Sequence, residues 1–194
     1  MARALIHFLK YFVGIDAAQT QTTEAERETI KVYALGKKRC VEIGVFEGVT
    51  TGTIASTLES DAVLFAIDPF LTGRSGICWG LPIARREIGK HRPKCQVRIV
   101  RAFSPDANKQ IEGDFDFVFV DGDHSLEGIR QDWDDWSGRI VPGGIIGLHD
   151  TLVPKHNPNV ANLGSHKYFV KHIQHDDRFE IVAQVDSLSM LRRK

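Results

Sequence analysis

The chain has 194 residues, 42% of them hydrophobic, and 25 basic side chains balance 25 acidic ones, so the formal net charge is zero. That length suits one α/β domain with a sizeable core, and the balanced charge leaves no basic stripe of the kind nucleic-acid binding needs. Cys40, Cys78 and Cys95 are odd in number and lack a C-x-x-C spacing, which points to a reduced, cytoplasmic chain without a disulfide framework.

In the segment from Met1 to Ile15, Leu5, Ile6, Phe8, Leu9, Phe12 and Val13 recur at spacings of three and four, the pattern of an amphipathic helix. His7 and Lys10 interrupt it, no small-residue cleavage site follows closely, and it is too short to span a bilayer, so neither a signal peptide nor a membrane anchor is expected. Residues 1–22 read as a helical extension and 23–194 as a single domain. The apolar face of the extension is expected against the core, with a homodimer contact or the pocket mouth as alternatives.

Thr23 and Glu26 form a candidate capping box for a helix ending near Gly36. Strands follow at Arg39–Gly44 and Ala62–Asp68, with a helix after Gly48 between them. Pro69 to Pro93 is less regular and ends in a short helix carrying Ile83 and Ile88. Strand three is Gln96–Arg101, Ser104-Pro105-Asp106 opens a helix, and strand four is Phe115–Asp121. Leu126, Ile129, Trp133, Trp136 and Ile140 are spaced to share one helical face. Pro142-Gly143-Gly144 reads as a turn into strand five, Ile145–His149. After a loop from Thr151 to Gly164 come a helix, Ser165–Gln174, and a hairpin of Phe179–Val185 with Leu188–Arg192 around Asp186-Ser187. Strands alternating with helices imply a doubly wound, mostly parallel sheet, and the closing hairpin adds an antiparallel strand.

Glu42, Asp68, Asp121 and Asp150 each stand where one of these strands runs out. Ligands of open α/β sheets bind beyond the carboxyl ends of the strands, and carboxylates are rarely buried without partners, so the four are expected to converge on one pocket. In Glu42-Ile43-Gly44-Val45-Phe46-Glu47-Gly48-Val49-Thr50-Thr51 the glycine spacing is G-x-x-x-G, whereas a dinucleotide site reads G-x-G-x-x-G. Gly44 permits a tight turn, and Gly48 is expected to let the backbone approach a ligand. An acidic residue before the loop repels phosphate and suits an ammonium or sulfonium group. An ordinary strand-to-helix turn has the same spacing. Asp68, 26 residues after Glu42, is placed to accept hydrogen bonds from ribose hydroxyls.

These features resemble the class I S-adenosylmethionine-dependent methyltransferases. The matching segments are Glu42–Thr51, Asp68 after Leu64-Phe65-Ala66-Ile67, strand four, and Pro142-Gly143-Gly144 before strand five. The resemblance runs from about Thr23 to the C-terminal hairpin and implies a Rossmann-like sheet of seven strands. It implies that Glu42 lies near the methionine ammonium and that Gly44, Gly48, Thr50 and Thr51 form the cofactor loop. Asp68 would hold the ribose, Ala102-Phe103-Ser104 border the adenine, and Asp121 sit near the methionine end.

Asp121-Gly122-Asp123-His124, with Asp150 29 residues after Asp121, resembles the metal-dependent O-methyltransferase branch of catechol and sugar enzymes. That resemblance implies Mg²⁺ bound by Asp121 and Asp150. Thr151 stands where catechol-type enzymes carry an asparagine, so Asp123, His149 or water is left to complete the shell. His124, three residues after Asp121, matches the position of the catalytic base, and a histidine titrates near pH ~6.5. For His149 a ligand, a supporting and a packing role stand level. A zinc site at His166, His172 and His175 lacks cysteines, and a solvated face is the better reading. Trp79 reads equally as a substrate contact or a surface loop residue.

The implied function is methyl transfer to a hydroxyl of a small molecule, a sugar or secondary metabolite. The alternatives are a non-catalytic S-adenosylmethionine-binding module, which needs no base, and a nicotinamide-dependent oxidoreductase, which predicts G-x-G-x-x-G. A hydrolase or hydroxylase on the same fold is a further possibility.

Overall fold

The computed structural model describes residues 2–73 and 76–194; Met1 and positions 74 and 75, in the irregular stretch after Asp68, lie outside the described residues. Helices α1 (Ala2–Phe12) and α2 (Glu24–Ala34) come first. Strands and helices then alternate: β1 (Arg39–Ile43), α3 (Val49–Ala55), β2 (Val63–Ile67), α4 (Gly80–Lys90), β3 (Gln96–Val100), α5 (Ser104–Gln110) and β4 (Phe115–Val120). The second half comprises α6 (Leu126–Trp136), β5 (Ile140–Leu148), α7 (Gly164–Lys171), β6 (Phe179–Val185) and β7 (Leu188–Arg193). The strands form one seven-stranded sheet of order β3-β2-β1-β4-β5-β7-β6. From β3 to β5 all neighbours are parallel, and β7 runs antiparallel to both β5 and β6. This is the doubly wound, mostly parallel sheet with a C-terminal antiparallel hairpin that the sequence implies.

Side-chain alternation splits the core in two. Val41, Ile43, Val118 and Val120 face Ile129, Trp133, Trp136 and Phe169 on one side of the sheet. Cys40, Leu64, Phe117 and Phe119 face Ile30, Ile54 and Leu58 on the other. Because both faces are covered, the central strands read as nearly continuous apolar runs.

Two local readings differ from the structure. The five-residue helical face is interrupted at both ends: Leu126 is 56% exposed at the first turn of α6, and Ile140 is buried but opens β5. Strand β5 also begins before Pro142-Gly143-Gly144 and runs through it; its pairing with β4 shifts register between Phe115 and Phe117, which absorbs the extra residues as an irregularity. Accordingly Leu126→Ala is expected to change unfolding free energy by less than ~0.5 kcal/mol, whereas Ile129→Ala, which empties a core position, is expected to lose about 2–5 kcal/mol. Urea denaturation of the two variants checks this.

Helix α1 meets the domain with its aromatic side. Tyr11 is buried and donates to Glu87 at 2.7 Å, with the Lys90 ammonium 4.5 Å from its ring. Phe8 lies 4.9 Å from Trp79, which accounts for that loop tryptophan. The aliphatic positions Leu5, Ile6, Leu9, Val13 and Ile15 face solvent, so the expected core contact holds for only part of the apolar pattern. Cys40, Cys78 and Cys95 are free thiols. Among the described residues no helix is long and apolar enough to cross a membrane.

Candidate active site

Strand order reverses at β1, whose neighbours are β2 on one side and β4 on the other. A crevice opens beyond the strand ends at such a point. Here it is a cavity of about 880 Å³, within the range of small-molecule and cofactor sites. Gly44, Thr50, Asp68, Ala102, Phe103, Ser104, Asp121 and His124 all line it, with Gln19 to Gln21 from the segment after α1.

Asp68 stands one residue past β2 and organises the neighbouring loop. Its Oδ2 accepts the backbone N–H groups of Val45 (3.1 Å) and Phe46 (3.0 Å), and its Oδ1 accepts that of Phe70 (2.6 Å). A carboxylate has about four acceptor positions, so this set leaves capacity for a ligand hydroxyl. Gly44 threads between strand ends: its N–H donates to Ile67 O at 2.9 Å, and a Cβ there would lie 1.9 Å from the Asp121 carbonyl oxygen.

Glu42, Gly48 and Thr51 do not reach the cavity wall, and neither does Asp150, which is buried beside the His124 ring, so two of the four strand-end carboxylates line the cavity. Glu42 lies inside β1 rather than beyond it, so alternation turns its side chain toward the face shared with Cys40 and Phe119. There it is fully buried, and neither its carboxyl oxygens nor the Thr51 hydroxyl has a hydrogen-bond partner among the described residues. Burial pushes the Glu42 carboxyl well above the usual carboxylate range; Thr51 nearby opposes this only in part, and Asp121 and Asp68 add to the rise. Gly48 has no Cβ because α4 crowds it: the Cβ would meet the Ala84 backbone at 2.9 Å. The close approach expected of it is to a helix, not to a ligand. Thr50 does line the cavity, its hydroxyl 3.2 Å from that of Thr22.

At the β4–β5 end the side chains form a chain of charges. His149 is buried, with Nδ1 2.9 Å from Asp121 Oδ1 and Nε2 3.3 Å from Glu26 Oε2. Burial alone would lower the His149 pKa, but hydrogen bonds to Asp121 and Glu26 overcome it and raise it to about 10. Glu26 in turn accepts from Ser187 N (2.9 Å), Ser187 Oγ (2.7 Å) and Thr23 N (2.7 Å). Burial would raise its pKa, yet these partners and His149 bring it down to about 2. His124 stands nearer the cavity, with Nε2 3.8 Å from Asp121 Oδ1 and Nδ1 3.5 Å from Asp150 Oδ2. Two carboxylates therefore face one imidazole.

Sequence marked Glu26 only as a helix cap. Its capping box is present, but its partners across the fold, 123 and 161 positions away, leave no local trace. The roles of Asp123 and Ser125 are local: Ser125 Oγ accepts Gly128 N–H at 3.0 Å, and Asp123 accepts from Ser125 N and Oγ.

Asp121 and Asp150, which both approach the His124 and His149 rings, are the kind of oxygen donor Mg²⁺ takes from proteins, usually one or two carboxylates with waters. In donor chemistry the pair fits such an ion. The other candidates are engaged elsewhere: Asp123 in the cap, His149 between two carboxylates, and the Thr151 hydroxyl with Ser187 O and Ser189 Oγ. Among the described residues no three His, Cys, Asp or Glu side chains gather as a metal cage. His166 instead faces Thr151 O at 2.8 Å, and His172 packs on Tyr168.

A family model described as a methyltransferase domain matches residues 41–151, more than half of the chain. The chain is 27% identical over 139 residues to caffeoyl-CoA O-methyltransferase 2 of Zea mays, covering 69% of this chain and 49% of that protein. With caffeoyl-CoA O-methyltransferase 1 of the same organism it shares 26% over 192 residues, covering 90% and 71%. The chain thus spans about half the length of the first of these relatives. An O-methyltransferase from Bacillus cereus in complex with SAH superposes with TM-score 0.67 at 18% identity, covering 99% of this chain and 91% of that one. With that family match and that fold, the chain belongs to the methyltransferase domain family, the class I S-adenosylmethionine-dependent methyltransferases.

Proposed function

We propose that the protein transfers the methyl group of S-adenosylmethionine to a hydroxyl of a small molecule, a sugar or secondary metabolite. The observation that carries this reading is the juxtaposition, at one end of the cavity, of His124 with Asp121, the His124 ring being backed by the buried Asp150 carboxylate. A module that only binds cofactor needs no such cluster. S-adenosylmethionine supplies a methyl group on a sulfonium, and a neutral alcohol is too weak a nucleophile to take it without a base, a metal or both. His124 is the base: its ring lies at the cavity wall, and Asp121 and Asp150 orient it and stabilise the imidazolium that forms. Asp121 and Asp150 would hold Mg²⁺, which lowers the pKa of a coordinated hydroxyl. Asp68 holds the ribose, and Gly44 and Thr50 line the path toward Asp121.

The names of the maize relatives favour an O-linked acceptor, and the neutral overall charge favours a small one over nucleic acid. Calorimetric titration tests the reading. S-adenosylmethionine is expected to bind the wild-type protein and to lose at least tenfold in affinity with Asp68→Ala. A Mg²⁺ heat is expected that disappears in Asp121→Ala. Absence of S-adenosylmethionine binding sinks the whole proposal; absence of the Mg²⁺ heat with binding intact sinks only the metal.

A further inference from the structure

Helix α1 has two faces, and the docked one fixes where the other points. Tyr11 is buried, Phe8 packs on Trp79, the Arg86 guanidinium lies 4.8 Å from the Phe12 ring, and His7 stands 3.1 Å from both Asp16 and Glu47. His7, Phe8, Tyr11 and Phe12 share one side of the helix, so α1 cannot roll without breaking these contacts. The opposite side is thereby held outward. Leu5, Ile6, Leu9 and Val13 follow the three-and-four spacing of a single stripe and are between 38% and 71% exposed. Exposed apolar side chains scattered singly mean little, but neighbouring ones mark a binding surface.

The charge around that stripe has one sign. Helix α1 contains no Asp or Glu, and its Arg3 and Lys10, seven residues apart, run along one border of the stripe. Phe12 falls at the other border, where it joins Arg85, Arg86, Arg101 and the exposed Ile77 around a hollow of about 650 Å³. Arg86 is fixed there by donating to Phe12 O at 3.0 Å. No carboxylate lines this hollow among the described residues. Arg3, Lys10, Arg85 and Arg101 form no ion pair among the described residues, while the nearby Glu87, Asp16 and Glu47 are taken by Lys90 and His7. A second copy of the chain seated on this face would set the basic rim against itself. A bilayer with anionic headgroups complements both parts: its acyl boundary takes the aliphatic stripe, and its phosphates take the guanidinium groups. Helix α1 is too short to span a membrane, but lying in the interface sets no such requirement on length.

We propose that α1 and the hollow of Arg85, Arg86 and Arg101 dock the protein on an anionic lipid surface. Leu5, Ile6, Leu9 and Val13 enter the boundary between headgroups and acyl chains, and the arginines and Lys10 meet headgroup phosphates. The docking surface is separate from the reaction cavity: none of these side chains lines it.

Vesicle co-sedimentation of the full chain tests this, with vesicles of phosphatidylcholine alone and of phosphatidylcholine mixed equally with phosphatidylglycerol. The wild-type protein is expected to bind the anionic vesicles at least tenfold more tightly than the neutral ones, and less tightly as salt is raised. Leu5→Ser combined with Leu9→Ser removes apolar insertion and is expected to weaken anionic binding at least tenfold. Arg85→Gln combined with Arg101→Gln is expected to weaken it by at least fivefold, each cation near such a surface being worth about that factor. All four side chains are exposed, so both double variants are expected to keep the wild-type thermal midpoint. No binding to anionic vesicles, equal binding to both kinds, or binding unchanged in either double variant overturns the assignment. Sedimentation velocity covers the rival occupant: a wild-type dimer that Leu5→Ser with Leu9→Ser dissociates would give the face to a second copy and overturn the proposal, and an oligomeric state unaltered by those changes supports it.

Discussion

Glu26→Gln is expected to destabilise the protein by about 3 kcal/mol at pH 6, because removing one partner of a buried ion pair leaves the other uncompensated. The Glu26 carboxylate joins three elements: it closes the capping box of α2 through Thr23 N, accepts both Ser187 groups between β6 and β7, and faces His149 at the end of β5. Glutamine can keep an acceptor toward Ser187 but offers no charge to the buried imidazole. His149 would then retain Asp121 alone as a close hydrogen-bonding carboxylate.

The pH dependence separates this from a simple packing loss. His149 has a folded pKa of about 10 against an ordinary value of 6.5, so its contribution is complete below about pH 6.5 and fades as the pH rises through 10. Glu26 has a folded pKa of about 2 against 4.5, so its contribution is present above about pH 4.5 and fades as the pH falls toward 2. The pair is therefore worth most between those limits, and the difference between wild type and Glu26→Gln is expected to shrink from pH 6 to pH 10. Thermal denaturation at both pH values measures it. An equal loss at both would show that Glu26 acts through its shape and neutral hydrogen bonds, not its charge.

The fold was legible because each element carries its own period. Strands such as Phe115-Asp116-Phe117-Val118-Phe119-Val120 are apolar on both faces, helices such as α6 repeat at three and four, and glycines or prolines separate them. Errors fell where period and position compete. Ile140 continues the helical spacing of Trp133 and Trp136, but the chain has already turned through Ser137–Arg139 into β5. The acidic pattern was legible in two members, Asp68 and Asp121, while Glu42 and Asp150 do not line the cavity. Asp68 and Asp121 stand one residue beyond β2 and β4, where the ladder ends and side chains turn into the crevice. Glu42 lies within β1, opposite Ala66 and Phe119, and shares their face. The residue of β1 equivalent to Asp68 and Asp121 is Gly44. Nothing local could have linked Glu26 to His149, because that contact depends on how α2 docks.

Gly44 is accordingly where substitution is expected to damage stability and site together. Its φ is +91°, a region where a side chain costs roughly 1–2 kcal/mol. Its Cβ would also lie 1.9 Å from Asp121 O and 2.6 Å from Asp121 C, both backbone atoms that cannot rotate away. The loop cannot yield without breaking the hydrogen bond from Gly44 N to Ile67 O, or that from Asp121 N to Ile43 O at 2.8 Å. Gly44→Ala is therefore expected to lose about 3–5 kcal/mol, the upper end for a single substitution, and to weaken S-adenosylhomocysteine binding at least tenfold. Gly14 supplies the control. Its φ of +81° imposes the same backbone penalty, but nothing lies within 4 Å of its Cβ, and it does not line the cavity. Gly14→Ala is expected to lose only the conformational part, about 1–2 kcal/mol, with binding unchanged. If urea denaturation gave equal losses for the two, the strand ends of β1 and β4 would have room to move apart. The crevice between them would then be a yielding surface rather than the fixed wall on which Asp121 and His124 depend.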